Sequence, residues 1–559
     1  MPLATFGGIG GIGGGVGDGD LDAFVEERRR EDNLPGVAVV VVAGGEIVLH
    51  DSWGVRDVAT GEPLGPDAAF RVGSLTKLVT ATAALRLQER GRLSLDEPVR
   101  RYVPWLALDG PAGSAEEVVG AITLRHLLSH RAGLPRGRYL GEPVSSIDRL
   151  RSLERMRLAF PPGERLKYSN LGYALAAHAL ERIADRPWPE LARELVLGPA
   201  GMEGCGFGEP AAHGPLAAIG HQRGHYRSLV RPGDVLRRPP RACAAPGAGD
   251  LVAPAGALGR LLIALLGGGL LSEDSRAELG RPQGPVRPGM QPGTGPLYGL
   301  SLRVVRRFGR RCLAHDGGHS GFFSLLRFFP EEGVGGIALG NRCSAFHALD
   351  EILDRALAPW LPGRPRTFQP DLDPFVGRYA GPERSLRFRS AGGRLWMRHV
   401  EGNGEEMALL RQGLGRFVQP RGPFSEHLLR FGLDRGEAWD CTTGPLRWAR
   451  EGPSWPLLWD GPAHPPPASG SRSRALAGVY THPVIGDVRV YLREGRPIFS
   501  FFYAEESPLR RVRGGGYRID GGSFDGEPAV FEMIDGEAVA LEAGYMRFER
   551  RPAVPEDLL

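Results

Sequence analysis

Phe70-Arg-Val-Gly-Ser-Leu-Thr-Lys-Leu-Val-Thr-Ala-Thr-Ala-Ala-Leu-Arg-Leu-Gln-Glu-Arg-Gly91 opens with Ser74 and Lys77 and continues as a helical pattern to its closing glycine. Three residues apart on a helix, the two side chains share one face. A hydroxyl beside an amine that can lose its proton is a nucleophile with its own base. Lysine occupies only two positions in the chain, Lys77 and Lys167, among 69 basic residues. Arginine keeps its proton in a protein, whereas a desolvated lysine can act as a base. A lysine retained one turn after a serine, in a chain that otherwise uses arginine, points to an amine needed for its chemistry.

At 559 residues the chain exceeds a single core, and its length suggests roughly two to four domains. The net charge of +4 argues against a dedicated nucleic-acid binder. Five scattered cysteines with no C-x-x-C make neither a disulfide framework nor a zinc site, and they fit a reducing compartment. The first residues have no basic segment followed by an apolar core, and no run approaches the ~18 apolar residues of a spanning helix. The expectation is a cytoplasmic protein with no membrane partner.

Residues 1–19 are glycine-rich and read as a disordered tail; their partial dinucleotide-type glycines lack a preceding strand. Asp20 to Arg30 reads as an amphipathic helix, and Val37–Val42 and Glu46–His50 as strands around Gly44-Gly45. In Ile122–Pro135, Thr123 is an expected N-cap, with Gly133 and Pro135 ending the helix. A further helix opens at Tyr168-Ser-Asn-Leu-Gly-Tyr and runs to Ala184. The stretch from Gly206 to Gly249 lacks periodicity and suggests a loop or lid. Ala257–Leu266 is helical, strands follow at Tyr298–Val305, Arg311–Ala314, Phe322–Phe329 and Gly335–Leu339, and Asp350–Ala358 is a helix. This order predicts an α+β fold, an antiparallel sheet flanked by helices.

Beyond Pro362-Gly-Arg-Pro-Arg the pattern changes to short strands and repeats itself. Phe375-Val-Gly-Arg-Tyr379 matches Leu476-Ala-Gly-Val-Tyr480, Gly393-Arg394 matches Gly495-Arg496, and Gly444-Pro-Leu-Arg-Trp448 matches Gly544-Tyr-Met-Arg-Phe548. Two tandem antiparallel barrels are expected. The expected division is a tail at 1–19, a catalytic domain at 20–362, barrels at 363–455 and 475–559, and a linker at 456–474.

Two more segments join Ser74 and Lys77. Tyr168-Ser-Asn170 places a phenol and an amide at a helix start. His315-Asp-Gly-Gly-His-Ser-Gly321 lies between two predicted strands, with Asp316 read as a turn residue and glycines that let a backbone approach a ligand closely. In this order and spacing, over residues 21–360, the segments resemble the serine β-lactamase and penicillin-binding-protein-like hydrolases. The nearest branch is that of class C β-lactamases, D-aminopeptidases and related esterases. The resemblance implies that Ser74 is the acylated nucleophile, Lys77 its base partner and Tyr168 the proton shuttle. It implies substrate contacts for Asn170, His315 and Gly317, and an oxyanion hole from the N–H groups of Ser74 and Gly318. The C-terminal repeats resemble the paired lipocalin-like barrels of D-aminopeptidase. Where the family usually has Gly-Gly-Leu, this chain has Gly249-Asp-Leu, which puts the shape of that cleft wall in question.

Lys167 reads either as a positive charge near the site or as a solvated neighbour. His221/His225 and His315/His319 are spaced by four, but both pairs enclose glycines, so no helical zinc face is expected. Neither lysine lies in Gly-Lys-Ser/Thr, and no Gly-x-Ser-x-Gly elbow is present. No cofactor or metal is implied. The expected activity is acyl-enzyme hydrolysis of D-amino-acid-containing peptides or amides. The alternatives are an esterase, a thioesterase, cyclase or acyltransferase of peptide natural-product assembly that meets a carrier protein, and a non-catalytic acylated sensor.

Overall fold

The computed structural model describes residues 18–551, apart from 109–114, 137–149, 209–216, 224–233, 240–244, 285–296, 364–371, 401–405, 419–427, 451–474 and further gaps of one to four residues. The glycine-rich tail up to residue 17, the expected linker, most of the expected lid and His225 lie outside the described residues.

The catalytic sheet begins with β1 (Gly36–Ala43), in which seven of eight residues are buried. A near-continuous valine run is what a strand covered on both faces requires. Its alternation divides the domain: Ala38, Val40 and Val42 join the larger core, and Val37, Val39 and Val41 join the smaller one. β2 (Glu46–Gly54) pairs with β1 after Gly44 and Gly45, both at positive φ. A three-stranded satellite sheet is made by β3 (Phe70–Arg71), β4 (Gly206–Phe207) and β5 (Leu251–Ala253). β6 (Leu297–Tyr298), β7 (Arg303–Arg307), β8 (Arg310–His319), β9 (Phe322–Phe329) and β10 (Val334–Gly340) complete the main sheet. Its order is β2-β1-β10-β9-β8-β7-β6, with antiparallel neighbours throughout.

On one face lie α2 (Thr76–Glu89), Asn170–Ala184 and Ala255–Leu266; on the other are α1 (Asp18–Glu31) and Phe346–Leu357. The expected sheet flanked by helices is therefore present. Three local expectations are corrected. The 122–135 helix is only Leu124–Leu128: Thr123 caps it as foreseen, but His130 and Gly133 adopt positive φ, which leaves the helical region. The strand expected at Tyr298–Val305 is broken by Ser301, also at positive φ, into the β6–β7 hairpin. β8 runs on to His319, so the His315–His319 glycine segment is strand and Asp316 is not a turn residue. Asp316 pairs across to Arg303 of β7.

The first C-terminal unit is a nine-stranded antiparallel sheet from Gly377 to Arg450. Its two edge strands, Met407–Ala408 and Leu410–Gly413, are separated only by Leu409, so one chain segment joins both edges and curls the sheet round. The second is a closed barrel of eight strands from Gly478 to Arg550. The repeated motif has a common structural reason. Buried Tyr379 donates its hydroxyl to Phe375 O at 3.2 Å, and buried Tyr480 does the same to Leu476 O at 2.7 Å. A buried phenol needs such a partner, and here it ties the entry of each unit to its first strand. Among the described residues no helix is long and apolar enough to cross a membrane.

Candidate active site

Ser74 lies in a single 3-10 turn, Gly73–Leu75, that leads directly into α2. The turn is fixed from three sides. Thr76 Oγ1 donates to Gly73 O at 2.7 Å and accepts Leu251 N–H at 3.1 Å, and Ser324 Oγ of β9 donates to Val72 O at 2.8 Å. Gly73 is at φ +54°, and a Cβ there would lie 3.0 Å from Gly318 N. A Cβ on Gly317 would lie 2.1 Å from Val72 O and 3.0 Å from Ser74 N. Only glycine lets β8 press its backbone this closely against the serine turn.

Lys77 is fully buried. Its Nζ reaches Ser74 Oγ at 3.0 Å, Asn170 Oδ1 at 2.9 Å and Ala248 O at 2.6 Å. Tyr168 OH stands 2.7 Å from Ser74 Oγ. Ser74, Tyr168 and Asn170 remain part-exposed while Lys77 does not, as a cleft with a dry floor requires. Asn170 is set by the helix it begins: Ser169 caps Asn170–Ala184 by accepting Gly172 N–H at 3.0 Å.

His315 is buried on β8, and both its ring nitrogens are engaged within the protein. Nδ1 lies 2.7 Å from Asp316 O, which can only accept, so the proton is assigned to Nδ1. Nε2 stands 3.1 Å from Tyr298 OH, whose one proton it shares as acceptor with Ser301 O, also at 3.1 Å. Burial, then Arg303 and Lys77, hold His315 well below the usual imidazole range and keep it neutral. His130 is its counterpart beneath Tyr168, with ring centroids 4.1 Å apart. Its Nδ1 accepts Ser169 N–H at 3.1 Å, and burial, followed by Lys77, His315 and Arg136, also keeps it neutral.

Asp250 stands where the resemblance expects glycine. Its Oδ1 accepts Gly247 N–H at 3.0 Å, and Gly247 O accepts Thr80 Oγ1 at 2.7 Å, so the segment carrying Ala248 O is anchored to α2. Desolvation pushes the Asp250 carboxyl up to about 7, against the pull of those backbone N–H groups and of Lys77.

The structure thus gathers Ser74, Lys77, Tyr168, Asn170, Gly317 and Gly318 around one point, with His315 behind Tyr298. Of the two readings of Lys167, the solvated neighbour is corrected: the side chain is buried and paired with Glu527 of the second barrel at 2.5 Å. Sequence reasoning did not find His130, Tyr298, Ser324 or Glu527. His130 lay inside a quoted segment but read as part of a helix end, and the others had no local pattern to mark them. Among the described residues no cluster of His, Cys, Asp or Glu is placed to hold a metal.

The β-lactamase family model matches residues 21–358. The chain is 34% identical to esterase EstB of Burkholderia gladioli over 205 residues, 34% of this chain and 50% of that protein. It spans about half the length of the first curated relatives it matches. The octameric penicillin-binding protein homologue from Pyrococcus abyssi superposes with a TM-score of 0.56 at 23% identity, covering 78% of this chain and 100% of that one. The D-amino acid amidase of Ochrobactrum anthropi SV3 gives 0.51 at 22% identity, with 61% and 98% covered. At these identities the two structures speak for the fold.

Proposed function

The chain belongs to the β-lactamase family, and on that premise we propose that it is a serine hydrolase acting through an acyl-enzyme on amide or ester bonds. The observation that carries this reading is the position of Ser74 Oγ, 3.0 Å from Lys77 Nζ and 2.7 Å from Tyr168 OH. Lys77 and Tyr168 take the Ser74 proton as its oxygen attacks a carbonyl. The N–H groups of Ser74 and Gly318 receive the oxyanion; such a donor is typically worth about 3–4 kcal/mol in the transition state. Tyr168 returns the proton to the leaving group, Asn170 and the Gly317 backbone steer the substrate, and water releases the acyl group. His315 acts in this scheme through Tyr298, because its own nitrogens are spoken for.

The substrate class we propose is D-amino-acid amides or peptides, on the resemblance of the catalytic motifs and C-terminal repeats to the D-aminopeptidase branch. Similarity to EstB favours an ester substrate as the second reading. Intact-mass spectrometry after fluorophosphonate treatment tests the nucleophile, with one adduct on Ser74 expected. A panel of D- and L-amino-acid amides, short acyl esters and pantetheine thioesters then separates the acyl donors. Turnover confined to esters would replace the amidase reading, turnover confined to thioesters would favour a carrier-linked acyl transfer, and no adduct on Ser74 would refute the mechanism.

A further inference from the structure

The second barrel inserts one carboxylate beside the Tyr168 segment. Glu527 is tied to the barrel beside it: Gly526 N–H donates to Ile519 O at 2.8 Å and Glu527 N–H to Phe524 O at 2.9 Å. Gly526 abuts the catalytic domain so closely that a Cβ there would lie 2.5 Å from the Phe160 ring. Glu527 and Lys167 are each only 1% exposed in their side chains, and they meet at 2.5 Å. The same Glu527 Oε1 accepts Arg136 N–H at 3.1 Å, and Arg136 O accepts Asn170 N–H at 3.1 Å.

We propose that Glu527 is a positioning residue for the reaction, through which the second barrel holds the Tyr168-Ser169-Asn170 segment in register with Ser74. This inference rests on the acyl-enzyme reading above. The carboxylate grips Lys167 on one side of Tyr168 and, through Arg136, the backbone of Asn170 on the other. Between those grips Lys167 N–H donates to His130 O at 2.6 Å, Ser169 Oγ donates to Pro135 O at 2.5 Å, and the His130 ring lies against Tyr168. The phenol that must meet Ser74 Oγ is thus fixed by a clamp completed by another domain. A buried ion pair is weak evidence for stability, since its desolvation can outweigh its attraction. Among the described residues Glu527 Oε2 has no hydrogen-bond partner. Geometry is what this pair supplies.

The test uses the full-length protein, with the rate of Ser74 acylation by a fluorophosphonate measured separately from the probe's affinity. Glu527→Gln should lower the maximal acylation rate by roughly 10–100-fold, the scale of a small misplacement, with affinity little changed. Lys167→Met should do the same, and combining it with Glu527→Leu should add little further loss, because both remove one clamp. The apolar pair Lys167→Met/Glu527→Leu guards against unfolding, as such replacements are often neutral for stability. Glu537→Gln, on the exposed Arg550 pair of the same barrel, should leave the rate unchanged. A folded apolar-pair variant that acylates at the wild-type rate would overturn the clamp while leaving the nucleophile reading intact. Failure of the wild type to label Ser74 would instead overturn that reading, and the inference with it.

Discussion

Tyr298 OH and His315 Nε2, both in buried side chains, meet at 3.1 Å, and the Tyr298 oxygen also lies 3.1 Å from Ser301 O. Tyr298→Phe would strip His315 of its acceptor contact and leave a buried imidazole nitrogen unsatisfied. Such a loss typically costs about 1–3 kcal/mol. We expect a melting temperature lowered accordingly and a reduced turnover at unchanged fold. An unaltered melting temperature would show that the hydroxyl is dispensable.

His315 and His130 are held neutral by burial first and neighbouring cations second. The activity profile from pH 5 to 8 should therefore contain no limb removed by substituting either ring. Comparison of the wild-type profile with that of His315→Gln checks this, and a limb near pH 6.5 lost in the variant would contradict it.

Lys77→Arg preserves charge but removes the only amine at the site and forces a larger group into a fully buried position. Ser74→Ala and Lys77→Arg should each lower turnover by about 10⁴-fold or more, as removal of a member of a nucleophilic unit does. Steady-state assay of the folded variants decides the matter; substantial activity in Lys77→Arg would remove Lys77 from the proton path.

The Asp250 carboxyl is raised from an ordinary carboxylate value to about 7. The folded state thus holds this proton over a range in which the unfolded chain has lost it. Stability should fall as pH rises from about 4 to 7, by about 1.4 kcal/mol per pH unit within that window, and level off above it. Asp250→Asn removes that slope. Denaturation of the two proteins at pH 4 and pH 8 should show the variant gaining relative stability at the higher pH; parallel curves would refute the burial of the acid form.

Gly317→Ala places a methyl 2.1 Å from Val72 O and 2.3 Å from Ser324 Oγ. Overpacking of this kind costs roughly 1–3 kcal/mol and displaces the turn that carries Ser74. Loss of fluorophosphonate labelling together with a lowered melting temperature is expected, whereas normal labelling would show that β8 can retreat.

Much of this protein is local and so was legible in the chain. The Ser74–Lys77 spacing needs only one turn of helix, β1 needs only its valine run, and Thr123 needs only the following turn to act as a cap. The repeated Gly-x-Tyr anchors are local too, since each tyrosine bonds a carbonyl four residues back. What tertiary structure decided lies where partners are distant. The glycines at 317 and 318 read as backbone that can approach a ligand closely, yet what they allow is a strand pressed on the serine turn, a contact between elements that no periodicity encodes. Asp316 is a strand residue because its backbone pairs with Leu325 of the neighbouring strand, and its side chain meets Arg303. Glu527 reaches Arg136 across 391 residues of sequence. An ion pair between domains leaves each partner looking like an ordinary surface charge in its own stretch, and only packing the second barrel against the catalytic domain buries both.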